Sequence, residues 1–69
     1  MDRTKVQSSN VAEIGYNQAT MTLEVLFHNG SIYHYFGVPK MVFNQFLQAD
    51  SKGGFLHREI KNRYRYTKL

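Results

Sequence analysis

The sequence predicts an α+β domain, a three-stranded antiparallel β-meander followed by a two-helix hairpin packed on one face, in the order β-β-β-α-α. Three observations carry that expectation. Thr22 to Phe27 alternates, with Leu23, Val25 and Phe27 on one side and Thr22, Glu24 and Leu26 on the other, the period of a strand. Asn29-Gly30 then leads into Ile32 to Phe36, a run rich in β-branched and aromatic residues, and this order is a strong hairpin signal. At Pro39 the apolar period changes to that of a helix.

Taken in order, Met1 to Ser8 is polar and aperiodic and reads as a flexible leader, leaving residues 9–69 as one domain. Val11 to Tyr16 alternates imperfectly, stops at Asn17-Gln18, and reads as the first strand. The next two strands are those joined at Asn29-Gly30. Proline is tolerated at a first helical position, and Phe43, Phe46 and Leu47 follow at helical spacing, so Pro39 to Gln48 is expected to be a helix. Ser51-Lys52-Gly53-Gly54 breaks that pattern. Leu56, Ile60 and Tyr64 recur at i, i+4 and i+8, predicting a second helix from about Phe55 to Arg63.

With 69 residues the chain has room for one domain and one small core. It has no cysteine, so neither a disulfide framework nor a zinc–thiolate site supports it. Ten residues are Phe or Tyr, a large apolar payload that makes a packed aromatic core the expected source of stability. No apolar run approaches the roughly 18 residues of a membrane span, and Asp2, Arg3 and Lys5 leave no room for a signal-peptide core, so cytoplasm is the expected location.

The formal net charge of +4 is not evenly spread. From Lys52 onward, Lys52, Arg58, Lys61, Arg63, Arg65 and Lys68 face only Glu59, a balance of +5, whereas the residues before Lys52 balance at −1. A local excess of this kind is the electrostatic footprint of a polyanion contact, and it also keeps a helix solvated. Helical rotation would send Arg58, Lys61 and Arg65 away from the Leu56–Ile60–Tyr64 stripe onto one basic face.

Ile14-Gly15-Tyr16, Leu23-x-Val25-x-Phe27, Asn29-Gly30, Tyr33-x-Tyr35, Val38-Pro39, Ala49-x-Ser51-Lys52-Gly53, Ile60 and Tyr64, in this order, resemble the KTSC domain, a small bacterial family. The resemblance runs from about Ser9 to Tyr66. That family takes its name from the carboxyl end of some lysyl-tRNA synthetases and also occurs alone, and the association implies an RNA-binding role. His57 stands where the resemblance leads one to expect Asn, and Arg65 where Pro often separates the last two tyrosines.

Tyr33 and Tyr35 share one face of their strand, and the turn decides which. A two-residue Asn29-Gly30 turn sets Tyr33 opposite Leu26 and Tyr35 opposite Glu24, exposing both rings as a stacking platform. A three-residue loop, His28-Asn29-Gly30, with Gly30 left-handed, slips the register by one and turns both rings into core. The broad apolar partners that Phe43, Phe46 and Leu47 require favour the second register, and Glu24 and His34 suit the wet face.

The run Ile60 to Tyr66 interleaves basic and aromatic residues, a mixture that pairs guanidinium groups with phosphates and rings with bases. Its bland counterpart is a helix end whose cations complement the macrodipole. Lys52-Gly53-Gly54 precedes a helix, where backbone amides can receive an anion, but it is too short for a phosphate loop and more often marks a turn. His28, His34 and His57 show no metal-ligand spacing, and neither His57 nor Glu59 pairs with a nucleophile. The expectation is therefore a binding module without enzymatic activity, cofactor, metal or membrane contact. Its expected partner is RNA, held through Lys52, Arg58, Lys61, Arg63, Arg65 and Lys68, with Tyr66, and Tyr33 and Tyr35 if exposed, supplying stacking. The alternative is a protein-interaction module whose partner is acidic or adds a strand to the sheet edge.

Overall fold

A computed structural model describes all residues from Met1 to Leu69. It is an α+β fold with five antiparallel strands in the order β1-β2-β3-β4-β5, two more than the meander the sequence predicts. The strands are β1 (Arg3–Lys5), β2 (Val11–Asn17), β3 (Thr22–Phe27), β4 (Ile32–Tyr35) and β5 (Tyr66–Lys68). Between β4 and β5 run α1 (Lys40–Gln48) and α2 (Lys52–Phe55), the latter continuing without a break into a π-helical segment (Leu56–Ile60). No helix is long and apolar enough to cross a membrane.

The added strands lie at the two edges, where the sequence reading expects a leader and a helix end. Arg3, Thr4 and Lys5 of β1 pair with Gly15, Ile14 and Glu13 of β2. The Arg3 side chain reaches over β2, with Nε 3.3 Å from Glu13 Oε1 and 3.5 Å from Glu24 Oε2. Glycine at position 15 makes this crossing feasible, because a Cβ there would stand 2.7 Å from the Asp2 carbonyl oxygen and 3.0 Å from Arg3 Cγ. On the same outer face His34 Nε2 lies 2.7 Å from Glu24 Oε1, so polar side chains link four strands. At the other edge, Tyr66, Thr67 and Lys68 pair with Tyr35, His34 and Tyr33. Backbone bonds from Phe36 N–H to the Arg65 carbonyl and from Leu69 N–H to the Ile32 carbonyl extend this pairing at both ends.

The turn between β3 and β4 has the three-residue form. Phe27 N–H donates to the Ser31 carbonyl, Gly30 N–H donates to the Phe27 carbonyl, and Gly30 takes φ +91°, a region glycine enters without steric cost. Val25 consequently faces Tyr33 and Leu23 faces Tyr35, which puts both tyrosines on the apolar side of the sheet. That side is covered by the helices. The core comprises Val11, Ile14, Leu23, Val25, Tyr35, Val38, Phe46, Phe55, Leu56 and Ile60. Phe46 stacks on Phe55 with centroids 5.3 Å apart, and Phe43 stacks on Tyr16 at 4.9 Å, fixing α1 to both its neighbours. The Tyr16 hydroxyl donates to the Val38 carbonyl and ties the start of α1 to β2.

The second helix begins three residues earlier than its apolar spacing suggests. Ser51 is its N-cap, accepting from Gly54 N–H at 3.0 Å, so the glycine pair occupies a first helical turn instead of ending the chain segment. Helical structure stops at Ile60, and the π-helical turn closes with Lys61 N–H donating to the Leu56 carbonyl. Leu56 and Ile60 both stay buried, while His57 and Lys61 are exposed. Arg63, Arg65, Tyr66 and Lys68 therefore lie beyond the helix, and the single basic helical face expected of Arg58, Lys61 and Arg65 does not form. Isolated spacing favoured a helix, but pairing with β4 captures the chain end.

Candidate functional site

β3, β4 and β5 form one wall of a cleft, and the π-helical turn forms the other. Side chains alternate along β5, so Tyr66 and Lys68 point to the helix-covered face while Thr67 points away. Phe27, Tyr33 and Tyr35 reach the same face from β3 and β4 through the register set at Gly30. Their rings form a cluster. Phe27 meets Tyr33 edge-on at 5.5 Å, and Tyr66 lies 5.8 Å from both Tyr33 and Tyr35. Leu56, His57 and Lys61 close the cleft from the helix side, and Asn10, Asn29 and Ser31 close its far end. The cleft is open to solvent and has a volume of about 590 Å³, within the range of small-ligand sites.

The rings are not equivalent. Tyr35 is 3% exposed and belongs to the core, as the three-residue loop requires. Burial, with the phenols of Tyr33 and Tyr66 beside it, pushes its pKa above the ordinary tyrosine value, so it stays a neutral hydroxyl at physiological pH. Tyr33 is half-buried, whereas Tyr66 is 57% exposed and presents a free ring at the mouth. Charge in the cleft has one sign: Lys61 and Lys68 line it, and no Asp or Glu does.

The other basic candidates lie elsewhere. Lys52 bends back so that Nζ donates to the Ala49 carbonyl, and it lines a second, polar recess. Arg58 lies along its own helix beside Gly54, and Arg63 makes an exposed ion pair with Glu59 at 3.9 Å. Arg65 sits in the link to β5. The structure thus brings Tyr33, Tyr35, Tyr66, Lys61 and Lys68 together in one cleft and leaves Lys52, Arg58, Arg63 and Arg65 outside it. Phe27, Asn10, Asn29 and Ser31 are additions the sequence reading missed. Phe27 alone had a signal, since it shares strand parity with Tyr33 and Tyr35 once the loop has three residues.

The histidines do not converge. His28 Nε2 lies 2.9 Å from the Ser8 carbonyl oxygen, His34 is held by Glu24 on the outer face, and His57 lines the cleft. No three His, Cys, Asp or Glu side chains are grouped to hold a metal ion.

The sequence pattern of the KTSC domain matches residues 7–64. The chain belongs to the KTSC domain family. A KTSC domain protein from Yersinia pestis, known from its crystal structure, superposes with a TM-score of 0.92 at 36% identity, covering 99% of this chain and 96% of that one. An uncharacterised protein of Stutzerimonas stutzeri is 37% identical over 70 residues, covering 100% of this chain and 99% of its own length. A lysine–tRNA ligase of Trichormus variabilis is 38% identical over 65 residues. That match takes in 94% of this KTSC domain but only 12% of the ligase. The motifs behind the family resemblance now have structural roles. Ile14 packs in the core, Gly15 admits Arg3, Tyr16 anchors α1, and Tyr33-x-Tyr35 builds the cleft wall.

Proposed function

We propose that this KTSC domain is a non-enzymatic module that binds single-stranded RNA across the tyrosine-walled cleft. The observation that carries this reading is the exposed ring of Tyr66 beside Tyr33, flanked by Lys61 and Lys68 with no carboxylate in the lining. An aromatic ring accepts a base of any sequence by stacking, worth about 1–3 kcal/mol per base. The lysines neutralise adjacent phosphates, and release of the condensed counterions makes binding salt-dependent. The family supports the choice of ligand, because relatives that carry a similar segment are lysine–tRNA ligases, whose name includes tRNA. The ligase activity itself is not transferred, since the matched segment is 12% of those enzymes. Strand addition by an acidic or extended protein partner is the rival, and the sheet edges argue against it: β1 and β5 have three residues each, short templates for pairing.

The test is an NMR titration with short single-stranded RNA, structured RNA and a polyanion control at two salt concentrations. Shifts should centre on Tyr33, Lys61, Tyr66 and Lys68 and be larger for single-stranded RNA. Tyr66→Ala should weaken binding by about 1–3 kcal/mol. Lys61→Ala with Lys68→Ala should reduce the log–log salt slope by about 1.4, more than the same double change at Arg63 and Arg65. Equal, weak shifts with RNA and the polyanion would refute the proposal.

A further inference from the structure

Beside the aromatic cleft lies a second recess, of about 320 Å³, between the β1–β2 connection and the start of α2. None of its lining residues is hydrophobic. Ser8, Ser9 and Gln7 supply one wall, and Ser51 and Lys52 the other. Asn10 and Gly53 line both the recess and the cleft, so the two lie side by side with these residues at their boundary. At that boundary the Asn10 amide stands against Gly53, its Nδ2 3.6 Å from where a Cβ would be.

We infer that the ligand of this groove is an oligonucleotide of at least two nucleotides, with one base in the aromatic cleft and the next sugar-phosphate unit in the polar recess. This rests on the RNA reading above and deepens it. The chemistry of the two compartments differs as the two parts of a nucleotide strand differ. Rings suit a base, whereas serine hydroxyls, a glutamine amide and an ammonium suit a ribose hydroxyl and a phosphate. Lys52 uses one of its three N–H donors on the Ala49 carbonyl and keeps two for an anion. Asp50 is the one carboxylate lining the recess and offsets the Lys52 charge there, so an anion is held by the directed donors of Lys52 and the hydroxyls rather than by a net positive field.

Affinities for uridine monophosphate and tetrauridylate, followed by NMR on the full chain, decide the matter. The tetranucleotide should bind about tenfold tighter or better, the gain of one added charge-assisted contact. Ser9 is exposed and its side chain makes no hydrogen bond, so Ser9→Phe fills the recess without a charge change. That variant should reduce the tetranucleotide-to-mononucleotide ratio severalfold, and Lys52→Gln should do the same with a shallower salt dependence. A wild-type ratio near one, or a ratio unmoved by Ser9→Phe, overturns the inference while shifts at Tyr66 leave the cleft reading standing. If neither probe shifts Tyr66, the cleft reading fails and takes this inference with it.

Discussion

Tyr35 is a core residue set opposite Leu23, with the rings of Tyr33 and Tyr66 beside it, and its pKa is pushed up first by burial and then by these two phenols. Tyr16, which anchors α1, is shifted in the same direction by burial. A tyrosine whose folded pKa exceeds its unfolded value, about 10, supports the fold fully below that value. The support is lost as pH rises through the folded pKa, because the unfolded chain then gives up the proton more easily. Urea unfolding between pH 8 and 11 should therefore show stability level up to about pH 10 and falling above it. Tyr35→Phe should lessen the fall relative to wild type, and an identical alkaline profile in the variant would show that the Tyr35 phenol has no part in it.

Among the elements, β1 depends most visibly on a single neighbour. Gly15→Ala would drive a methyl into the Asp2 carbonyl and the Arg3 side chain, so β1 should detach and the domain should lose about 1–3 kcal/mol. Amide exchange should quicken at Arg3–Lys5 and leave β3 and β4 protected. Uniform quickening across the sheet would instead assign Gly15 to the global fold. The three central strands and α1 are legible in sequence because each buries a face and writes its period in apolar residues. β1 and β5 are not, because all six of their residues are exposed and no burial pattern marks them. Gly53-Gly54 misled for a different reason, since the capping hydroxyl of Ser51 makes a first helical turn out of a pair that usually breaks one. For the cleft, Tyr66 and Lys68 were legible as residue types, but their meeting with Tyr33 needed a strand that only tertiary pairing reveals.

At the scale of the whole molecule, a Cα radius of gyration of 10.6 Å matches the roughly 11 Å of a compact chain this long, leaving no protruding tail. The stability margin of such a domain is about 3–10 kcal/mol. Phe46 is fully buried and stacked on Phe55, joining α1 to α2, so Phe46→Ala should cost about 3–5 kcal/mol and leave much of the population unfolded. A cooperative thermal transition persisting near the wild-type midpoint would mean that the helices are held by the sheet and not by each other. Because the first and last strands occupy opposite margins of a five-stranded sheet, four strand spacings, about 19 Å, separate them. A fluorophore, affinity handle or fused protein attached ahead of Met1 hangs from the margin remote from Tyr66. The same attachment after Leu69 starts one residue from Lys68 and crowds the mouth of the cleft, so the choice of tethering end decides whether the cleft of an immobilised domain stays open to solvent.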